Sequence, residues 1–130
     1  LASLMRRLNI CEERGSGVDK VISQVELFQL PAPDFQVTTT HTKAVLYAPK
    51  KLAEMDQPDR IRACYQHACL CWVSNKPMTN ATMRERFGIV EHNYAIASRI
   101  IAETIKAGLV KPAAPENKSR KHAKYVPCWL

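Results

Sequence analysis

Thr79-Asn80-Ala81-Thr82-Met83-Arg84-Glu85-Arg86-Phe87-Gly88-Ile89-Val90-Glu91-His92-Asn93 is the stretch on which the reading of this chain turns. Thr79 is a hydroxyl residue placed to accept hydrogen bonds from the free N–H groups of a helix start. The short helix it opens carries Met83 and Phe87 on one side, and Gly88 stands where a helix ends in the left-handed conformation. Ile89 supplies an apolar plug between this helix and the next. The second helix is expected from Glu91 to Ala107, with Tyr94, Ala97, Ile101 and Ile105 facing inward and Gly108 ending it.

Upstream, a third helix is expected from Asp59, where Ile61, Cys64, Tyr65, Ala68 and Trp72 form a stripe and Arg60, Arg62, Gln66 and His67 take the other side. Ser74-Asn75-Lys76-Pro77 makes a turn before Thr79. Downstream, Leu109-Val110 begins a strand, Lys111 to Lys124 forms a basic tip, and Tyr125-Val126-Pro127 returns. Three helices followed by a hairpin are the outline of a winged helix-turn-helix over residues 59–130. Residues 49–58, Pro-bearing and polar, form a linker.

Residues 1–48 have a different character. A helix is expected over 2–8, then a Glu12–Gly17 turn, then a helix from Ser16 to Leu30 with Val18, Val21, Ile22, Val25 and Phe28 at helical spacing. Ser16 with Asp19 makes a capping pair. Pro31-Ala32-Pro33 stops the helix. Phe35–Thr38 and Ala44–Tyr47 read as a hairpin, and the unit as the C-terminal end of a larger α/β domain. The chain as a whole is therefore expected to be α+β. It opens without Met, in mid-pattern, and reads as a piece of a longer protein.

Nineteen Lys and Arg stand against twelve Asp and Glu, a net charge of +7. Residues 1–48 carry five of each sign, so the whole excess falls after residue 48. A basic half joined to a neutral half suits a polyanion-binding module. Hydrophobic content of 46% fits a globular domain. No apolar run has the length of a membrane span and no secretory signal opens the chain, so a cytoplasmic, non-membrane protein is expected. Cys11, Cys64, Cys69, Cys71 and Cys128 lack zinc-knuckle spacing and are expected to be buried and reduced.

The N-terminal end of the second helix of a helix-turn-helix reaches base edges, which makes His92 and Asn93 candidate readers; Ser98, Arg99 and Lys106 fall on the same helix's outward surface. Lys111, Lys118, Arg120, Lys121 and Lys124 on the hairpin suit sugar-phosphate contacts. Catalytic signals are absent from the pattern. His41, His67, His92 and His122 lie on separate elements, none beside Cys or Ser and a carboxylate in a triad order. No Gly-x4-Gly-Lys-Ser/Thr loop occurs, and Gly15-Ser16-Gly17 is explained by a helix entry flanked by Glu12, Glu13 and Asp19. Neither a cofactor nor a metal site is expected.

Leu1-Ala2-Ser3-Leu4-Met5-Arg6-Arg7-Leu8, Cys11-Glu12-Glu13-Arg14-Gly15-Ser16-Gly17-Val18, Leu30-Pro31-Ala32-Pro33-Asp34-Phe35 and Val45-Leu46-Tyr47-Ala48-Pro49 resemble the C-terminal part of bacterial ATP-dependent DNA helicase RecG-related proteins and transcriptional regulators. Those proteins carry an N-terminal AlbA-like, Schlafen-like domain. Pro115–Lys121 and Tyr125-Val126-Pro127 are similar to the winged-helix end of a subset of them. Charge and the helix-turn-helix order together point to duplex DNA as partner, and the rest of the protein N-terminal to residue 1 is expected as a further one. The resemblance implies a transcriptional regulator, with a helicase-related enzyme or a protein-interaction winged helix as the alternatives. A homodimer stays open.

Overall fold

Asp56 sets the start of the longest helix, its Oδ1 accepting from the Asp59 N–H at 2.8 Å while Pro58 occupies the first turn, where its missing N–H costs nothing. The computed structural model describes residues 2–8, 17–114 and 123–130. In chain order these form α1 (Ala2–Arg7), α2 (Gly17–Leu27), β1 (Asp34–Val37), β2 (Thr42–Val45), α3 (Gln57–Val73), α4 (Asn80–Phe87), α5 (Tyr94–Lys106), β3 (Val110–Pro112) and β4 (Tyr125–Pro127). Short 3₁₀ turns at Leu52–Glu54 and Glu91–Asn93 precede α3 and α5. The fold is α+β.

Both sheets are antiparallel hairpins. In one, Asp34 faces Val45 and Val37 faces Thr42, with the Thr38 and His41 backbones closing the turn at 2.9 Å. In the other, Val110 faces Pro127 and Pro112 faces Tyr125. Met78 joins the second hairpin by a single bridge, accepting from the Tyr125 N–H at 3.0 Å. The chain just before α4 is thereby fixed to the returning strand.

The core lies among α3, α4, α5 and this second hairpin. Ala63, Cys64 and Ala68 of α3 meet Ala97, Ile100 and Ile101 of α5, and Met78, Met83, Phe87 and Val110 close the remaining sides. Small residues on both helices let the two backbones approach, so that isoleucine and methionine side chains fill the space around them. Met55, inside the stretch expected as a linker, is also buried in this core.

The local signals act as expected at α4. Thr79 and Thr82 form a reciprocal cap, the Thr79 N–H donating to Thr82 Oγ1 at 3.0 Å and the Thr82 N–H to Thr79 Oγ1 at 3.2 Å. Gly88 adopts φ 62° and its N–H donates to the last carbonyls of α4. An added Cβ there would lie 2.9 Å from Gln29 Oε1. Gly88→Ala is therefore expected to cost about 1–2 kcal/mol, the ordinary penalty of a left-handed non-glycine residue, read as a lowered urea midpoint at unchanged slope.

Several inward assignments are corrected. Tyr94 is 62% exposed, and Ile100 and Thr104 take the buried places on α5 beside Ala97 and Ile101. Phe28 is 65% exposed because α2 ends at Leu27 and the chain bends away; Trp72, at the end of α3, is exposed as well. Of the polar side expected on α3, His67 is buried, while Arg62 Nε and Gln66 Nε2 donate to the carbonyls of Ala32 and Pro33. That side of the helix carries the Leu30–Pro33 bend rather than water. Cys64 and Cys71 are buried as expected, whereas Cys69 is half-buried and Cys128 exposed. Burial pushes the Cys64 thiol up to about 12. No described helix is long and apolar enough to cross a membrane.

Candidate nucleic-acid interface

After Gly88, the Ile89 N–H donates to the Arg84 carbonyl at 2.8 Å and the Ile89 side chain packs on the core, which turns the chain sharply. The Glu91–Asn93 3₁₀ turn then leads directly into α5. This places His92 and Asn93 at the N-terminal end of α5, both exposed. Arg99 and Lys106 are also exposed and, seven residues apart, share one outward line of α5. The buried line of Ala97, Ile100, Ile101 and Thr104 lies on the opposite side, so the cationic line is free of packing duties.

Ser98 has a different setting from Arg99. Its Oγ accepts from Asn80 Nδ2 at 2.9 Å, and the same amide donates to the Tyr94 carbonyl at 3.0 Å. Arg84 Nε in turn donates to Asn80 Oδ1 at 3.1 Å. This Arg84–Asn80–Ser98 chain ties the first turn of α4 to the first two turns of α5. Sequence reasoning did not single out Asn80 or Arg84. The available signal was an Asn directly after a Thr cap with an Arg four residues on, which is too common to stand out.

On the second hairpin, Lys111 and Lys124 are exposed near opposite ends of the loop, and the Ala113 N–H donates to the Lys124 carbonyl at 2.9 Å. Lys118, Arg120 and Lys121 lie outside the described residues. Other cations of the basic half are engaged internally. Arg62 Nη2 pairs with Asp59 at 2.6 Å and Lys50 with the same carboxylate at 3.2 Å. Arg86 is 3% exposed, so its charge serves the interior.

The fold also assembles a group that the sequence had scattered. His67 stands between Glu26 of α2, which bonds its Nδ1, and Cys71, whose Sγ lies 3.5 Å from its Nε2. Arg86 Nε pairs with the other oxygen of Glu26 at 2.6 Å. Burial alone would depress the His67 pKa, but Cys71 and Glu26 hold its proton and lift it to about 9. Carboxylate, imidazole and thiol in this order match the members of a nucleophilic triad. His67 and Cys71 are each only 8% exposed, so the group bonds elements together inside the protein and offers a substrate no face. Among the described residues no His, Cys, Asp and Glu cluster has metal-holding geometry.

Residues 1–46 match the family model described as "Putative ATP-dependent DNA helicase recG C-terminal". The match takes in α1, α2 and the first hairpin and fits a helicase-related origin for that part of the chain. It ends before α3, so the candidate interface lies beyond it. No curated protein and no solved structure matches the chain.

Proposed function

We propose that residues 59–130 are a winged helix-turn-helix that binds duplex DNA within a transcriptional regulator, joined through residues 49–58 to the end of a RecG-related α/β domain at residues 1–48. The observation that carries this reading is the exposed pair of Arg99 and Lys106 on α5, opposite its buried line, with His92 exposed in the turn before it and Lys111 and Lys124 exposed on the hairpin after it. A helix presented this way has the shape to enter a major groove, where Asn93 suits adenine and Arg99 suits guanine or a phosphate, while the hairpin lysines suit the backbone. The DNA-linked family matched by residues 1–46 points the same way.

A protein-interaction role is the second reading. Trp72, Val73, Trp129 and Leu130 are exposed by 46%, 76%, 57% and 44%. Exposed apolar groups of this size suit a protein surface better than a phosphate backbone.

Binding-site selection followed by anisotropy titration separates the two. Asn93→Ala and Arg99→Ala are each expected to cost about 1–3 kcal/mol on a selected duplex and much less on random duplex. If both affinities stay untouched, α5 does not read bases. A chain that binds no duplex even at low salt supports the protein-interaction reading.

A further inference from the structure

The C-terminal end of α4 is gripped from outside the helix-turn-helix. Gln29 Nε2 donates to the Glu85 carbonyl at 3.1 Å, across 56 residues of sequence, and its Oε1 lies against Gly88. Arg86 Nη2 donates to the Leu30 carbonyl at 2.7 Å, and Arg86 Nε pairs with Glu26. Arg62 and Gln66 of α3 hold the Ala32 and Pro33 carbonyls at 2.9 and 2.7 Å. The chain from Glu26 to Pro33 thus lays its backbone carbonyls on α3 and α4 and sends one side chain to the residue that starts the turn.

Gln29 is the informative member of this bend. It adopts φ 53°, a conformation unfavourable for a residue with a side chain. Gly in its place would relieve that backbone. What Gln adds, and Gly would lack, is the bond to the Glu85 carbonyl and the contact at Gly88. That carbonyl is one of the last of α4 and already accepts from the Gly88 N–H, so Gln29 completes the cap from which the turn to α5 departs.

We propose that Gln29 is a positioning residue for DNA binding: the Glu26–Pro33 bend holds the Gly88–Asn93 turn, and through it the angle at which α5 is presented to a duplex. This rests on the DNA-binding reading above. It makes the docking of the N-terminal unit a determinant of affinity.

The test uses the full 130-residue chain as wild type, Gln29→Gly, and Leu27→Ala as the control, Leu27 being 71% exposed. Two quantities are measured on each: amide hydrogen exchange along the chain, and affinity for duplex by anisotropy. Gln29→Gly is expected to leave the thermal midpoint unchanged or raised, because the positive φ is relieved. It is also expected to speed exchange at Gly88 and Ile89 and weaken duplex binding by about two- to tenfold, the worth of one hydrogen bond. Leu27→Ala should change neither.

Unchanged exchange at Gly88 and Ile89 would overturn the proposal. So would faster exchange spread equally over α3, or faster turn exchange with full affinity. A wild-type chain that binds no duplex would instead sink the DNA-binding reading and the affinity claim with it. The exchange pattern would still decide whether the bend holds the turn.

Discussion

Replacing Glu26 by alanine is expected to lower the unfolding free energy by about 3–5 kcal/mol, the typical cost of leaving a buried charge without its partner. The side chains of Glu26, His67 and Arg86 are 17%, 10% and 1% exposed. One carboxylate is shared between imidazole and guanidinium, so its loss leaves the buried Arg86 without its counter-charge and His67 without a group that holds its proton. Urea denaturation at neutral pH measures the loss, and a change below about 1 kcal/mol, the worth of an exposed pair, would show that solvent screens the group. The pH dependence has a defined sign. His67 is raised from 6.5 to about 9, so its contribution is fully present below pH 6.5 and is lost as pH rises through 9. Its size is on the order of 3 kcal/mol. Several groups face the ring or its partner: Glu26 from α2, Cys71 and Cys64 from α3, and Arg86 from α4. Cys64, at about 12, does not titrate in that window. His67→Gln should flatten the decline between pH 6.5 and 9, and a wild-type midpoint that is already flat there would sink the assignment.

The contrast between what the sequence revealed and what it concealed follows from the range of each signal. Thr79, Gly88 and Gly108 act on backbone groups within four residues, and the start and end of α4 and the end of α5 were legible from them. Periodicity marks one apolar side of a helix but not how many sides are covered. α3 is covered twice, by α5 on the Cys64–Ala68 side and by the Pro31–Pro33 bend on the Arg62–Gln66 side. Arg62 and Gln66 on the second side find their partners in backbone carbonyls, which leave no pattern in a sequence. Glu26 and His67 are 41 residues apart, and charge counting placed Glu26 in a neutral half with no hint that it neutralises cations of the basic one. The reverse failure affects Tyr94 and Trp72, apolar groups at correct spacing whose positions fall past the edge of the neighbouring element.

The candidate interface divides in the same manner. Exposure of His92, Asn93, Arg99, Lys106, Lys111 and Lys124 follows from their offsets relative to the buried stripe and the strand register, and the sequence had placed all six outward. Ser98 shares that outward position, yet its hydroxyl is engaged by Asn80. It therefore helps orient α5 against α4, a duty visible only once both helices are placed.

Duplex affinity is expected to fall about 150-fold between roughly 0.05 and 0.2 M monovalent salt, a slope of about −3.6 in log K against log salt. The estimate counts four exposed cations, Arg99 and Lys106 on α5 and Lys111 and Lys124 on the hairpin. Each phosphate they neutralise releases about 0.9 counterion. Arg86, Arg62 and Lys50 are left out because each is paired with a carboxylate. Lys111→Ala with Lys124→Ala should weaken binding to all duplexes alike and flatten the slope by about two units. Arg99→Ala should flatten it by at most about one unit and act mainly on the selected site. Lys118, Arg120 and Lys121 belong to the same loop in sequence, and their engagement would steepen the wild-type slope beyond about −3.6. Fluorescence anisotropy on random duplex across the salt range measures all of these. A slope flatter than about −1, with affinity retained, would show that the charge excess is solvated surface and that the binding energy comes from the exposed apolar groups instead.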